Sequence, residues 1–378
     1  MAGIYIHIPF CKKACHYCNF HFSTSLNLKN EFVAALLKEI ELQKAYTHGE
    51  KISTIYFGGG TPSLLSATEL FLIMEKLKTC FDIDPGSEIT MEANPDDIRT
   101  ESIHSWKNAG INRLSIGIQS FFKEDLLWMN RAHDDKQAYH CIEIARDSGI
   151  GNLTIDLIYG TPTLSDDRWK HNISTAINLG IPHLSCYALT VEPKTPLDFM
   201  IRKKSIKEIN AEDQARQFLL LMDWMEAAGY EHYEISNFAM PGKRSLHNSA
   251  YWLGACYLGL GPSAHSYNGS ERQWNISNNA LYIHSLNNGL IPFEKESLSP
   301  VQRLNEYIMT ASRTLEGINL LHMDSVFGVS KKDTLLEKSR KHITGDLLYR
   351  SDERLMLTRK GKLFADGIAS DLFFEESE

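Results

Sequence analysis

Three cysteines lie within eight residues, Cys11, Cys15 and Cys18 in the run Cys-Lys-Lys-Ala-Cys-His-Tyr-Cys, directly after an apolar stretch at 3–8 that reads as a buried strand. A loop at that strand's end would aim all three sulfurs at one centre. Three thiolates suit a [4Fe-4S] cluster in which one iron has no protein ligand, and such an iron can take a substrate or cofactor. Structural zinc is the alternative, because His21 could complete a Cys3His set. A disulfide framework fits less well, since seven cysteines is an odd number and no secretory segment precedes them.

The other thiols, Cys80, Cys141, Cys186 and Cys256, are isolated in apolar periodic stretches, where reduced cysteine packs as a small hydrophobe. The chain has 378 residues, 43% hydrophobic and 23% charged, enough for one large core and a smaller domain. A formal net charge of -8 argues against a dominant electrostatic affinity for nucleic acid. No apolar run reaches membrane-spanning length, and Met1-Ala2 leads straight into the first strand. The expected compartment is therefore the reducing cytoplasm. Peripheral contact with a membrane and a homodimer are both compatible with the sequence.

One grammar recurs from Ala109, Ser148, Leu179 and Ala228: a helix end, a glycine, then a short strand. Gly110, Gly149, Gly180 and Gly229 fall where the chain leaves a helix and needs a left-handed backbone. Ser66 with Glu69 forms a capping box ahead of Leu70, Ile73, Met74 and Leu77. Asn210 caps a helix carrying Phe218, Met222 and Met225, and Phe32, Leu36 and Ile40 make another apolar stripe. Strands expected near 3–8, 52–57, 88–93, 112–118, 152–158 and 182–188 alternate with these helices, which implies a parallel sheet with right-handed crossovers. Six or seven such units point to an α/β fold, a partial or complete barrel rather than an open sheet.

Polar residues gather at the carboxyl ends of these strands. Gly58, Gly59, Gly60 and Thr61 end the second, Glu92 and Asn94 the third, Gln119 and Ser120 the fourth, and Asp156 the fifth. That is the face where parallel barrels place their chemistry, and the cysteine loop follows the first strand on the same face. Taken singly, the glycine run reads equally well as a tight turn, and Asp156 as an acceptor that holds a loop.

With Tyr17 just before the third cysteine, the Cys-x3-Cys-x2-Cys run resembles the signature of the radical S-adenosylmethionine (SAM) superfamily. Tyr5-Ile6-His7-Ile8-Pro9-Phe10-Cys11, Phe57-Gly58-Gly59-Gly60-Thr61-Pro62, Glu92-Ala93-Asn94-Pro95 and Ile155-Asp156-Leu157-Ile158-Tyr159-Gly160 match in order the superfamily's coproporphyrinogen-oxidase group. The resemblance covers almost the whole chain. It implies a partial (β/α) TIM-like barrel of the radical SAM type, a [4Fe-4S] cluster on Cys11, Cys15 and Cys18, and SAM chelating the open iron through its amino and carboxylate groups. Tyr5, Gly59 and Glu92 match SAM-contacting positions, with Tyr17, Gly60 and Thr61 in the same motifs. Gln119, Arg131 and Asp156 match positions that contact a second SAM molecule in the oxidases.

Two features choose a branch within that group. Phe20 stands where the catalytic anaerobic oxidases carry a fourth cysteine, and only four residues precede Tyr5, where the oxidases have a longer extension. His247-Asn248-Ser249-Ala250-Tyr251-Trp252 has the form His-Asn-x-x-Tyr-Trp found in a heme-chaperone branch. By itself a histidine beside aromatics is an ordinary core or surface residue; the resemblance makes His247 a candidate heme-iron ligand, with Tyr251 or Trp252 flanking the macrocycle. The implied function is a heme chaperone that delivers heme to heme-requiring respiratory proteins, with no nucleic-acid partner. The alternative is an oxygen-independent coproporphyrinogen III oxidase, which decarboxylates two propionates through a 5'-deoxyadenosyl radical. A radical SAM protein that methylates a substrate or acts on another tetrapyrrole is a third.

Three regions are expected: a barrel over 1–236, a glycine- and asparagine-rich connecting and covering region over 237–296, and a small, mostly helical, winged-helix-like domain over 297–378. The last should close with a hairpin near 346–358 and a helix over 359–365. Its basic and acidic residues balance, which favours a cover or partner surface over a DNA-binding module. The acidic end, 375–378, is expected to fray.

Overall fold

Alternation along each strand divides the central sheet into two chemically different faces. In the computed structural model, which describes residues 2–376, the parallel strands are β1 (Ala2–Ile8), β2 (Ile52–Gly59), β3 (Ile83–Ala93), β4 (Arg113–Gln119), β5 (Leu153–Tyr159) and β6 (His183–Ala188). Ile4, Ile6 and Ile8 of β1, Phe57 of β2, Met91 of β3, Leu114 of β4 and Ile155 of β5 are buried in one core with helix residues Phe32, Leu36, Leu70 and Ile73. Each such side chain stabilises the fold by about 1.5–3 kcal/mol. The intervening residues fall on the opposite face by the two-residue period, and they are polar: Tyr5, His7, Thr54, Glu88, Glu92, Arg113, Thr154, Asp156 and His183.

That inner face is held by hydrogen bonds instead of apolar packing. Arg113, 1% exposed, donates through Nη2 to Thr154 Oγ1, and its Nε lies 3.6 Å from Glu88 Oε2. Thr154 Oγ1 is 3.0 Å from His183 Nδ1, and His183 Nε2 is 2.7 Å from the Tyr233 hydroxyl. A buried guanidinium requires such partners, because an unpaired charge there would cost several kcal/mol.

The helix signals produce the expected elements. Ser66 and Glu69 cap the helix Ala67–Cys80 reciprocally, and Asn210 accepts from the amides of Glu212 and Asp213 to start the helix Ala211–Ala227. Gly110 ends the helix Thr100–Ala109 at φ +107°, a conformation that a side chain would strain, and the three equivalent glycines share the positive sign.

Six further strands extend the sheet. β7 (Glu231–Glu234) and β8 (Asn237–Ala239) add antiparallel beyond β6; β9 (Tyr257–Leu260) lies parallel beside β1, followed by antiparallel β10 (His265–Tyr267), β11 (Glu271–Asn275) and β12 (Phe293–Ser297). The order is β12-β11-β10-β9-β1-β2-β3-β4-β5-β6-β8-β7, so β12 and β7 are free edges and the barrel is partial. The segment 237–296, expected to connect and cover, therefore supplies strands to the same sheet, whose edge does not fall at 236. Two of its glycines serve close packing: a Cβ on Gly259 would clash with the His265 carbonyl oxygen, and one on Gly261 would lie 2.5 Å from that of His7.

The C-terminal region has its own sheet, ordered β13-β15-β14, from β13 (Ile318–Asn319), β14 (Leu348–Ser351) and β15 (Arg354–Leu357). Its separate core includes Leu304, Ile308, Met323, Leu335 and Leu355. The expected hairpin forms. The helix expected over 359–365 instead begins at Ala365, after a tight 3-10 turn at Gly361–Phe364. Gly361 is pressed onto the hairpin, where a Cβ would clash with the Leu347 carbonyl oxygen. Of the acidic end, Ser377 and Glu378 lie outside the described residues.

Candidate cluster and cofactor pocket

β1 ends at Ile8, and the cysteine loop that follows is tied at its base. Phe10 bridges to Ser23, the Cys11 amide donates to the Ser23 carbonyl at 3.0 Å, and the Ser23 amide donates to the Pro9 carbonyl at 2.9 Å. The loop thus stands over the carboxyl ends of the parallel strands. Between loop and strands lies a pocket of about 390 Å³, lined by Cys11, Cys15, Tyr17, Cys18, Gly59, Gly60, Thr61, Glu92, Gln119, Arg131 and Asp156. Tyr5 and His247 are the sequence candidates that it does not include.

Two side chains donate to the sulfurs. Thr61 Oγ1 is 3.3 Å from Cys11 Sγ, and Arg131 Nη1 is 3.3 Å from Cys15 Sγ and 3.4 Å from the Tyr17 hydroxyl. Arg131 is itself fixed through Nη2, which donates to Asn94 Oδ1 at 2.7 Å and to the Gly117 carbonyl at 2.8 Å. Asn94 in turn donates to Thr61 at 3.2 Å. A half-buried cation and a hydroxyl aimed at sulfur suit thiolates, whose negative charge they offset.

The donor set, three thiolates with Thr61 and Arg131 donating to two of them, fits a cluster. A four-iron cluster takes each thiolate on a different iron. His21, the residue that could have completed a zinc set, is engaged elsewhere, with Nε2 2.7 Å from Asn279 Oδ1.

Glu92 accepts from the Tyr56 hydroxyl at 2.9 Å and from the Gly59 amide at 3.2 Å. Burial pushes its carboxyl up to about 8, with the nearby Asp156 adding to the shift; burial likewise pushes Asp156 up to about 6. The glycine run has a steric reason of its own. A Cβ on Gly58 would lie 2.9 Å from the Tyr5 ring and press on it, and one on Gly60 would lie 2.6 Å from the Phe10 carbonyl oxygen and displace the start of the cysteine loop. Gln119 closes β4 at φ +65°, a strained backbone for a non-glycine residue and one concentrated at functional sites.

His247 does not present a ligand nitrogen. It lies on the short helix Leu246–Trp252, 2% exposed, with Nδ1 2.8 Å from Thr54 Oγ1, Nε2 2.9 Å from the Tyr251 hydroxyl, and its ring stacked on Tyr56 at 5.1 Å. Its amide and that of Leu246 donate to Glu88 Oε1. Burial holds the imidazole down to about 3, with Arg113 contributing. In this structure both ring nitrogens are hydrogen-bonded on the barrel's inner face. The same contacts connect the His-Asn-x-x-Tyr-Trp run to Glu92 through Tyr56.

Tyr5 instead lines a second cavity of about 950 Å³, formed by residues of β9, β10 and the C-terminal region. Tyr251 and Trp252 line it, as do Tyr257, His265, Tyr307 and His322. Most of this wall was not read from the sequence. No motif spans it, because it joins ordinary aromatics from distant segments. The two hollows share Asn19 and Phe20.

A family profile described as the Radical SAM superfamily matches residues 5–176. The chain is 33% identical over 374 residues to the heme chaperone HemW of Bacillus subtilis, covering 97% of this chain and 98% of the relative. It is 36% identical over 272 residues to the heme chaperone HemW of Escherichia coli, covering 70% and 69%. Among solved structures, the coproporphyrinogen III oxidase HemN of Escherichia coli, described as a radical SAM enzyme, superposes with a TM-score of 0.85 at 21% identity over 98% of this chain and 90% of that one.

Proposed function

The chain belongs to the heme chaperone HemW family, and from that premise we propose that it binds heme and hands it to heme-requiring proteins while carrying a [4Fe-4S] cluster and a SAM site. The observation that carries this reading is the likeness to the Bacillus subtilis relative, which runs through 97% of the chain, including the C-terminal region that walls the larger cavity. Cys11, Cys15 and Cys18 would hold the cluster. Gly59, Gly60, Thr61 and Glu92 would line the SAM side, with Gln119, Arg131 and Asp156 at its far wall. When bound, the cluster and SAM would supply reductive cleavage at the sulfonium. The chain's own part is to hold the sulfurs, with Thr61 and Arg131 offsetting their charge, and to keep Glu92 under the loop.

Respiratory enzymes as acceptors, peripheral membrane contact, a homodimer and a cytoplasmic location belong to the same proposal. Among the described residues no helix is long and apolar enough to cross a membrane. The HemN likeness, at 21% identity, concerns the fold. Phe20, 66% exposed, stands where the oxidases carry a cysteine, which supports the carrier over the catalyst.

Heme transfer tests the proposal. Heme-loaded protein should reconstitute a heme-requiring respiratory enzyme faster than it releases heme to an apo-protein trap, and should not convert coproporphyrinogen III at catalytic rates. Transfer no faster than trapping, or efficient decarboxylation, would replace the chaperone reading with the oxidase.

A further inference from the structure

We propose that the interdomain cavity is where this protein holds heme, with the iron taken by His265 of β10 and His322 of the C-terminal region rather than by His247. The proposal rests on the heme-carrier reading and deepens it by naming the site. A tetrapyrrole needs a hollow large enough for a flat macrocycle, aromatic walls, an imidazole with a free nitrogen, and cations for its carboxylates.

The cavity meets each requirement. At about 950 Å³ it is far larger than the cysteine pocket, and Tyr257, Tyr267, Tyr307 and Phe327 line it. Of its histidines, His7 is spent, with Nδ1 3.2 Å from the Tyr5 hydroxyl and Nε2 2.8 Å from the His21 carbonyl. His21 is tied through Nε2 to Asn279. His265 and His322 are exposed, and among the described residues no hydrogen bond engages their ring nitrogens. Ring contacts alone orient them: His265 stacks against Trp274 at 6.3 Å, and His322 leans on Tyr307 at 4.7 Å.

The charges agree with this assignment. Arg303 and Lys331 line the cavity and make no ion pair among the described residues; Lys331 Nζ rests 5.1 Å from the centre of the Phe374 ring, a contact it would exchange for a propionate, while Arg303 is the other cation on this wall. Glu306 is the acidic side chain on this wall, and it lies 3.7 Å from Arg272. Trp252 adds an indole N–H that is buried without a hydrogen-bond partner. The two imidazoles come from different parts of the chain, so a heme gripped by both would tie the C-terminal region to the barrel, and loosening that region would free it.

The test is ferric heme titration of the anaerobically reconstituted full chain, read from the Soret band, for His265→Ala, His322→Ala and the double variant. Both residues are exposed, and cluster iron and sulfide report whether each variant is folded. The double variant should bind heme at least about tenfold more weakly and lose the imidazole-ligated spectrum, while each single variant shifts the band and recovers it on addition of imidazole. Arg303→Ala with Lys331→Ala should weaken binding without shifting the band. Unchanged affinity and spectrum in the folded double variant would overturn the site and leave the carrier reading intact. No heme uptake by the unaltered protein would overturn both.

Discussion

The cysteine pocket and the interdomain cavity share Asn19 and Phe20, yet they are built in opposite ways. The pocket is made from one loop and successive strand ends, each side chain fixed by short polar contacts such as those of Arg131 with Asn94 and of Glu92 with Tyr56. The cavity is made from β9 and β10 of one sheet and the helices of another unit, walled by aromatics and by two histidines that, among the described residues, have no hydrogen bonds at their rings. A site for permanent cofactors gains from rigid preorganisation; a site for cargo that must leave gains from a wall that can part. His247 lies between the two, bonded to the barrel while its neighbour Tyr251 faces the cavity.

The largest expected effect separates the two regions outright. Anaerobically prepared protein should contain about four iron and four sulfide per chain, and Cys15→Ser should lose both while heme uptake persists. Loss of heme binding in the same variant would mean that pocket and cavity act as one unit. Tight zinc in a colourless, sulfide-free sample would revive the Cys3His alternative despite the contact of His21 with Asn279.

That division also explains what the sequence could disclose. The pocket was legible because its residue types are chemically unusual and contiguous: three cysteines in one loop, a glycine run, and carboxylates at strand ends. The parallel strands and their order followed from the helix caps and the junction glycines. The polar inner face, with Glu88, Arg113 and His183, is written in the alternation of polar and apolar residues along β3, β4 and β6, where the apolar set alone suffices to mark a strand. The cavity had no such signal. Tyr257, Tyr307 and Phe327 are ordinary core-type residues until the fold brings them to one hollow, and the glycines at 259 and 261 resembled a loop because their close backbone contacts are not encoded locally.

A smaller effect concerns His247. If its role is to tie the helix Leu246–Trp252 to the barrel, His247→Ala should lower unfolding stability by about 2–4 kcal/mol, since it strands Thr54 and Tyr251 and empties a buried site. Urea denaturation checks the magnitude. Heme affinity of the folded fraction should change far less than in the double variant of His265 and His322. Unaltered stability with a lost heme spectrum would reverse the comparison and return the ligand role to His247.

The smallest effect is a proton linkage under the cavity's barrel wall. Glu39, from the helix Lys29–Leu42, accepts from the Gly261 amide at 2.7 Å, from the Tyr282 hydroxyl and from Asn275 Nδ2, so it pins both ends of the stretch that carries β10 and His265. Burial pushes its carboxyl from an ordinary 4.5 up to about 6, although all three donors pull the other way. Between those values the folded chain holds more protons than the unfolded chain, so stability falls as pH rises. The contribution is fully present below 4.5 and is lost above about 6, a difference of about 2 kcal/mol at 1.36 kcal/mol per unit. Glu39→Gln replaces one acceptor oxygen with a donor, which lowers stability by a constant amount but removes the titration. Denaturation curves of the two proteins from pH 4.5 to 7 should therefore converge as pH rises, with the unaltered protein losing its advantage across that window. Parallel curves would place the titrating group elsewhere, and would mean that the cavity wall is held equally well by the ionised carboxylate.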